Sequence, residues 1–291
     1  MDRPSPALMW DVLEEHLDEA EFLWEVREQS LVAPNYTLAE VAAGPEARLL
    51  AHVEGLVIGG PAVARRLLVP ALEEDEPARV AAAALALLEG GADGGLAAIV
   101  ELLREAPEPR PALTRALVCA QRPGLGPRLR ALLADDDVAV VAAAAAVMHA
   151  QHEPLGDALA VLLRSEDPAA RALALRAVAD EASPARHLRA LQAALAEDDD
   201  AIAGAAMAVG VRLGLPAAWA RARERAALPD GGAAALLLAL AAAPVDLARL
   251  LALLDQPRAR AGAVWALGFV GTPEVVDACL EWLDDATLGP L

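Results

Sequence analysis

Lysine is absent from this 291-residue sequence, and all 24 of its positive residues are arginines. A Gly-x-x-x-x-Gly-Lys-Ser/Thr phosphate loop is thereby excluded, because its lysine has no substitute here. Aromatic residues make up only 3%, and residues 61–210 contain no Phe, Tyr or Trp. That stretch therefore lacks the aromatic walls that usually line a cofactor pocket. The two cysteines, Cys119 and Cys279, lie far apart in apolar stretches. They read as reduced core thiols, not as a disulfide framework or a metal site. No basic segment followed by an apolar run opens the chain, so no secretory signal is expected. The longest charge-free stretches, Val138 to His152 and Gly231 to Val245, fall short of the roughly 20 residues that span a bilayer. No Gly-x-Ser-x-Gly nucleophile elbow occurs either. The expectation is a cytoplasmic chain with no membrane insertion, no catalytic residues, no metal and no cofactor.

Positive charge is in short supply as a whole, since the net charge is −19. Nucleic acid is held by clustered Lys and Arg, and a surface this acidic repels phosphate. A basic protein partner suits the charge, and solubility alone accounts for it equally well.

What is present is Ala, Leu and Val, within a hydrophobic share of 56%. Ala and Leu form helices well, whereas strands favour β-branched and aromatic residues, so the chain reads as all-α. An acidic turn, often with proline, recurs along it: Asp75-Glu76-Pro77, Glu105-Ala106-Pro107, Asp135-Asp136-Asp137, Glu166-Asp167-Pro168, Asp198-Asp199-Asp200, Leu228-Pro229-Asp230 and Asp255-Gln256-Pro257. The period is about 31 residues, the signature of a stacked repeat protein.

Each turn has similar flanks. Leucines before it, such as Leu155, Leu159 and Leu162, or Leu188, Leu191 and Leu195, share one helical face. Segments after it, such as Val138 to Met148 or Ala169 to Val178, are apolar nearly all round and should be the inner helices. In Asp167-Pro168 the aspartate can cap the next helix, and proline loses no hydrogen bond at a first helical position. Gly90-Gly91-Ala92-Asp93-Gly94-Gly95 bridges two repeats as a flexible turn. One helix pair cannot bury both apolar faces, so the pairs must stack.

Leu159 to Val178 and Leu250 to Gly271 resemble the short form of the HEAT repeat, including Arg171 and Arg260 early in the second helix and the closing Leu267-Gly268. Arg79 occupies a similar place in the first repeat. The resemblance covers roughly residues 61–285 and implies an all-α, right-handed α-α superhelix, a HEAT/ARM-type solenoid. About seven helix pairs over residues 61–291 then follow an N-terminal helical cap over residues 1–60. HEAT-like bilin lyases are similar in repeat length, which makes a lyase or other cofactor-modifying enzyme the alternative reading. HEAT-type di-iron hydroxylases carry several His-Glu pairs, and here only His152-Glu153 occurs.

Residues 1–60 lack the recurring turn. Ala7 to Glu28 reads as an amphipathic helix, and Thr37 with Glu40 forms a capping-box pattern opening another that continues through or restarts after Gly44-Pro45. Gly59-Gly60-Pro61 ends it. This segment holds two of five tryptophans, the only tyrosine and two of five histidines. A repeat array needs such an end cap. Trp, Tyr and Arg are also enriched in binding hot spots, which makes Trp10, Trp24, Arg27, Tyr36, Arg48 and His52 the candidate protein-binding residues. One segment can serve both purposes.

The run Val12 to Ala20, Phe22-Leu23-Trp24 with Arg27, Tyr36-Thr37-Leu38 and Arg48 to Leu56 is similar to an uncharacterised bacterial HEAT-repeat family often found near type VI secretion genes. That resemblance implies an accessory role, with a secreted effector among the partners. Its members usually run on into another helix pair where this sequence stops at Leu291.

His149 and His152, at i, i+3 near one helix end with Glu153 following, could hold a metal as two histidines and a carboxylate; an exposed polar terminus is the better reading. The repeated aspartates read as N-caps, with Arg79, Arg171 and Arg260 pairing with acidic turns of adjacent repeats. An acidic ridge for a basic partner is the other reading. Trp219 and Trp265 read as core or inter-repeat packing. The function expected is a protein-binding scaffold or adaptor.

Overall fold

A computed structural model describes residues 8–289, apart from positions 34, 92, 121–124 and 242. Ala7, Pro34, Ala92, Ala242 and Leu291, on which parts of the sequence reading rest, lie outside the described residues. No strand occurs among the described residues. The contacts divide the chain after Ala158 into two units.

The first unit opens with α1 (Trp10–Val32), which starts later and ends later than the expected Ala7 to Glu28. Thr37 and Glu40 close the capping box on α2 (Leu38–Ile58), the Glu40 N–H donating to Thr37 Oγ1 at 3.2 Å and the Thr37 N–H donating to Glu40 Oε2 at 2.9 Å. The Gly44-Pro45 pair does not end α2. Residues 42–46 form one π-type turn around Pro45, which absorbs the missing N–H of proline within the helix. The break comes at Gly60, whose φ of 64° is left-handed and costs glycine little. The chain turns there by 99° into α3 (Gly60–Ala71).

From α3 onward the helices alternate in pairs. In the first unit these are α3 with α4 (Pro77–Glu89), α5 (Asp93–Glu105) with α6 (Arg110–Cys119), and α7 (Leu125–Leu132) with α8 (Val138–Ala150). Helix α9 (Asp157–Leu162) lies on the division between the units. It pairs in sequence with α10 (Pro168–Ala177). The second unit continues with α11 (Leu188–Leu195) and α12 (Asp200–Arg212), then α13 (Pro216–Ala226) and α14 (Gly232–Ala241). Helices α15 (Pro244–Leu253) and α16 (Arg260–Leu267) form the last pair, followed by α17 (Pro273–Leu280).

In both units the second helix of each pair packs on the second helix of the next. Helix α4 meets α6 and α6 meets α8, and α10 meets α12, which meets α14, which meets α16. This is the stacking of an α-solenoid. Helix α4 is the extreme case, with every residue from Val80 to Leu88 buried. Five of those nine are alanines, small enough to admit neighbours on all sides. Helices α1 and α2 pack on each other and both pack on α4, so the N-terminal segment covers the first pair.

The acidic turns work as helix caps. Asp137, Asp167 and Asp199 each accept a hydrogen bond from the N–H two residues on, at 2.8 to 3.0 Å, satisfying one of the free donors of the following helix. The far ends are closed by left-handed residues. Gly214 has φ 72°, and the Leu215 N–H returns to the Gly210 carbonyl at 2.8 Å. His152 does the same for α8 with φ 56°, the Glu153 N–H donating to the Met148 carbonyl at 2.8 Å. Both are Schellman closures.

No single helix among the described residues is long and apolar enough to cross a membrane, although α2 and α3 together pass by length and composition across their bend.

Candidate functional site

The turns of the first two pairs enclose a groove of about 720 Å³. Its floor is apolar: Leu102 on α5 and Ala106 just after it are partly exposed, and Leu72 at the end of α3, Val80 on α4 and Ala112 on α6 line it while almost fully buried. Prolines 77, 109 and 111 supply rigid walls. Proline sits at these positions because each opens or precedes a helix, where its missing N–H costs nothing. Above the floor stand carboxylates: Glu73, Glu74 and Asp75 from one turn and Glu108 from the next, all exposed. Arg115 completes the lining and donates to Glu28 at 3.4 Å.

The rim is fastened to α1 through Arg79. Its guanidinium reaches Asp18 at 2.7 Å, Glu21 at 2.9 Å and Glu74 at 2.9 Å. Burial opposes the charge, but the hydrogen bonds to Asp18 and Glu21 and the nearby carboxylates outweigh it, so the Arg79 pKa is raised. Glu73, Asp75 and Glu108 have no arginine partner among the described ion pairs. Their negative charge stays available at the mouth of an apolar cleft, where low-dielectric walls strengthen it.

The residues singled out from the N-terminal sequence do not gather into one surface. Trp24 is 2% exposed and has no face to offer a partner; Arg27 lies 5.9 Å from its ring centre. Arg27 is itself tied to Glu28 at 3.0 Å and Glu46 at 3.3 Å. Trp10 is half-buried, with Arg66 stacked 4.0 Å from its ring centre. His52 pairs with His16, Nδ1 to Nδ1 at 3.0 Å, which joins α1 to α2. Only Tyr36, 44% exposed, and Arg48 stand in solvent.

The arginine ladder exists, carried partly by other residues than expected. Arg171 pairs with Glu197, and Arg79 pairs backward with α1 and its own turn. Arg260 has no carboxylate at ion-pair distance among the described residues. It donates to the Leu254 carbonyl at 2.6 Å and stacks 4.2 Å from the Trp282 ring centre. Arg104, Arg110 and Arg225 supply the missing rungs, to Asp135, Asp137 and Asp200.

Other sequence candidates resolve as local structure. Glu153 is held by Arg130 at 2.6 Å, and no cluster of three or more metal-ligating side chains occurs among the described residues. Cys119 and Cys279 are half-buried free thiols, not core residues. Burial pushes both pKa values up; at Cys119 the charge of Arg27 pulls the other way and Glu28 and Glu46 push with burial. Trp265 is 36% exposed and meets Phe269 edge to face at 5.4 Å, so it belongs to the surface.

The groove itself was only half legible. Its acidic turns stand out in the sequence, but nothing local marks Leu102 or Arg115, which stacking brings to the turn before them.

No protein-family profile matches the chain, and no curated protein does. Among solved structures, the chain is similar to the X-ray structure of the E. coli protein YibA, with 13% identity and a TM-score of 0.48 over 93% of this chain and 99% of that one. It is also similar to human deoxyhypusine hydroxylase in complex with glycerol, with 20% identity and a TM-score of 0.32 over 86% of this chain and 96% of that one.

Proposed function

We propose that this chain is a protein-binding scaffold without a catalytic step of its own, and that a basic region of its partner docks at the turns of the first two helix pairs. The observation that carries this is the groove: an apolar cleft whose mouth bears Glu73, Asp75 and Glu108, which have no arginine partner among the described residues. A stack of helix pairs suits such a role, because it holds successive turns rigidly in register and presents long surfaces. The net charge of −19 would steer a basic partner toward it from a distance.

The half-buried free thiols suit a reducing cytoplasm. A secreted effector is the class of partner suggested by the likeness to the family near type VI genes.

The test is a quantitative affinity purification from the native host, comparing the wild-type chain with a Glu73→Lys, Asp75→Lys, Glu108→Lys variant of the same thermal stability. A basic protein enriched by the wild type and lost from the variant is expected. Identical partner sets for both chains would overturn the assignment to this groove.

A further inference from the structure

The chemistry of the groove narrows what can occupy it. A nucleic acid or other polyanion meets carboxylates on both sides of the opening. A plain polycation satisfies the rim but leaves the exposed parts of Leu102, Ala106 and the three prolines facing water. A plain apolar ligand covers the floor and strands Glu73, Asp75 and Glu108 beside a desolvating surface, which is costly for unpaired charge. The lining carries acid on the 73–75 turn, acid again at Glu108, and apolar residues below both. The volume, about 720 Å³, falls in the range of clefts that enclose a ligand of drug or short-peptide size, roughly 300–1,000 Å³.

From this we infer that the occupant is a short segment of the partner protein in which one aliphatic side chain is flanked on both sides by arginine or lysine. The aliphatic group seats against Leu102, Ala106 and the proline walls, the apolar lining that is open to solvent. One flanking cation meets Glu73 and Asp75, and the other meets Glu108. Glu74 contributes less, since Arg79 already holds it at 2.9 Å. The proline walls lack N–H donors, so recognition runs through side chains and not through backbone pairing with the groove. Arg115 gives the groove a direction. It is the sole cation among the described lining residues, and it disfavours a third basic residue at its end while accepting an acidic one.

The inference rests on the scaffold reading but fails separately from it. The probe is a capped, fluorescently labelled peptide with one leucine between two arginines, read by anisotropy against the full chain at low and moderate salt. A second probe replaces the leucine by serine, and a third replaces both arginines by glutamine. The chain variant is Glu73→Gln, Asp75→Asn, Glu108→Gln, whose substitutions lie at exposed positions and leave the core untouched.

Three lost surface ion pairs should weaken the first probe by about tenfold and flatten its salt dependence. The serine probe should bind several-fold more weakly to the wild type. The glutamine probe should bind the wild type and the variant alike. Equal affinity of leucine and serine probes would show that only charge is recognised and would overturn the inference. So would equal affinity of wild type and variant for the first probe, or a single-stranded oligonucleotide competing at the same site. If the purification finds a groove-dependent partner while the leucine probe does not bind, the scaffold stands and the occupant class is wrong. If neither binds, both fall.

Discussion

Arg223 grips Asp246 through two parallel hydrogen bonds, Nε to Oδ1 at 2.6 Å and Nη2 to Oδ2 at 3.0 Å. The two ends of this pair are unequal. Asp246 is fully buried in the first turn of α15, where its charge also suits the helix dipole, whereas Arg223 keeps contact with solvent beside the Trp219 ring, 5.8 Å from its centre. Asp246 holds the Arg223 pKa up. Removing the arginine strands a buried carboxylate, a defect on the order of 3–5 kcal/mol. Removing the aspartate leaves a guanidinium that water can reach. Arg223→Ala should therefore lower the melting temperature more than Asp246→Ala does. Equal losses in calorimetry would show that the pair is not asymmetric.

Two glycines predict opposite signs. A Cβ on Gly262 would lie 3.0 Å from the Gly232 Cα, where α14 and α16 cross backbone to backbone. Gly262→Ala should cost about 1–3 kcal/mol as overpacking. A Cβ on Gly204, within α12, meets nothing within 4 Å. Gly204→Ala should add about 0.5–1 kcal/mol by helix propensity alone. Urea midpoints at unchanged slope would check both.

Leu191 is fully buried on α11, while Val161 on α9 is 44% exposed. Leu191→Ala should cost about 2–5 kcal/mol, and Val161→Ala should stay within about 0.5 kcal/mol. A silent Leu191→Ala in thermal unfolding would show the repeat register to be misassigned.

Three carboxylates that accept backbone N–H groups, two in turns and one in the capping box, give a pH dependence. Asp135 is lowered below its ordinary 3.8 by the Asp137 N–H, Asp285 by the N–H groups of Thr287 and Leu288, and Glu40 below 4.5 by the Thr37 N–H. With folded values depressed, the unfolded chain binds protons first as pH falls. Stability from these groups is thus complete above their ordinary values and is lost as pH drops through the folded ones. The melting temperature should hold from neutrality to about pH 5 and then decline, and Asp135→Asn should shallow the decline.

Both thiols should alkylate with midpoints above the ordinary 9.0. Arg27→Gln removes the charge that favours the Cys119 thiolate, so the Cys119 midpoint should rise further while that of Cys279 stays. Rate against pH, read by mass spectrometry of each peptide, would decide it.

The helix pairs and their turns were legible because they rest on local chemistry: Asp167-Pro168 caps and starts a helix whatever lies nearby, and the capping box of Thr37 and Glu40 is complete within four residues. Partners chosen by stacking were not legible. Arg171 and Arg260 occupy equivalent places, yet one meets Glu197 and the other a carbonyl and an indole. His16 and His52 meet across 36 residues, and neither is flagged by its neighbours. Trp24 looked like an anchor because tryptophan serves both cores and interfaces, and only packing tells which.

The ion pairs Arg104–Asp135, Arg110–Asp137, Arg171–Glu197 and Arg225–Asp200 span 31, 27, 26 and 25 residues. Each tie is thus about as long as one repeat, and so are the helix contacts. A chain built this way has low contact order and can begin folding at any pair. It can also gain or lose a whole pair by duplication or deletion and keep its rungs, provided the new neighbour brings a carboxylate to the same place on its turn. The groove obeys the same rule: two adjacent turns make it, so repeated elsewhere with the right side chains they would make another.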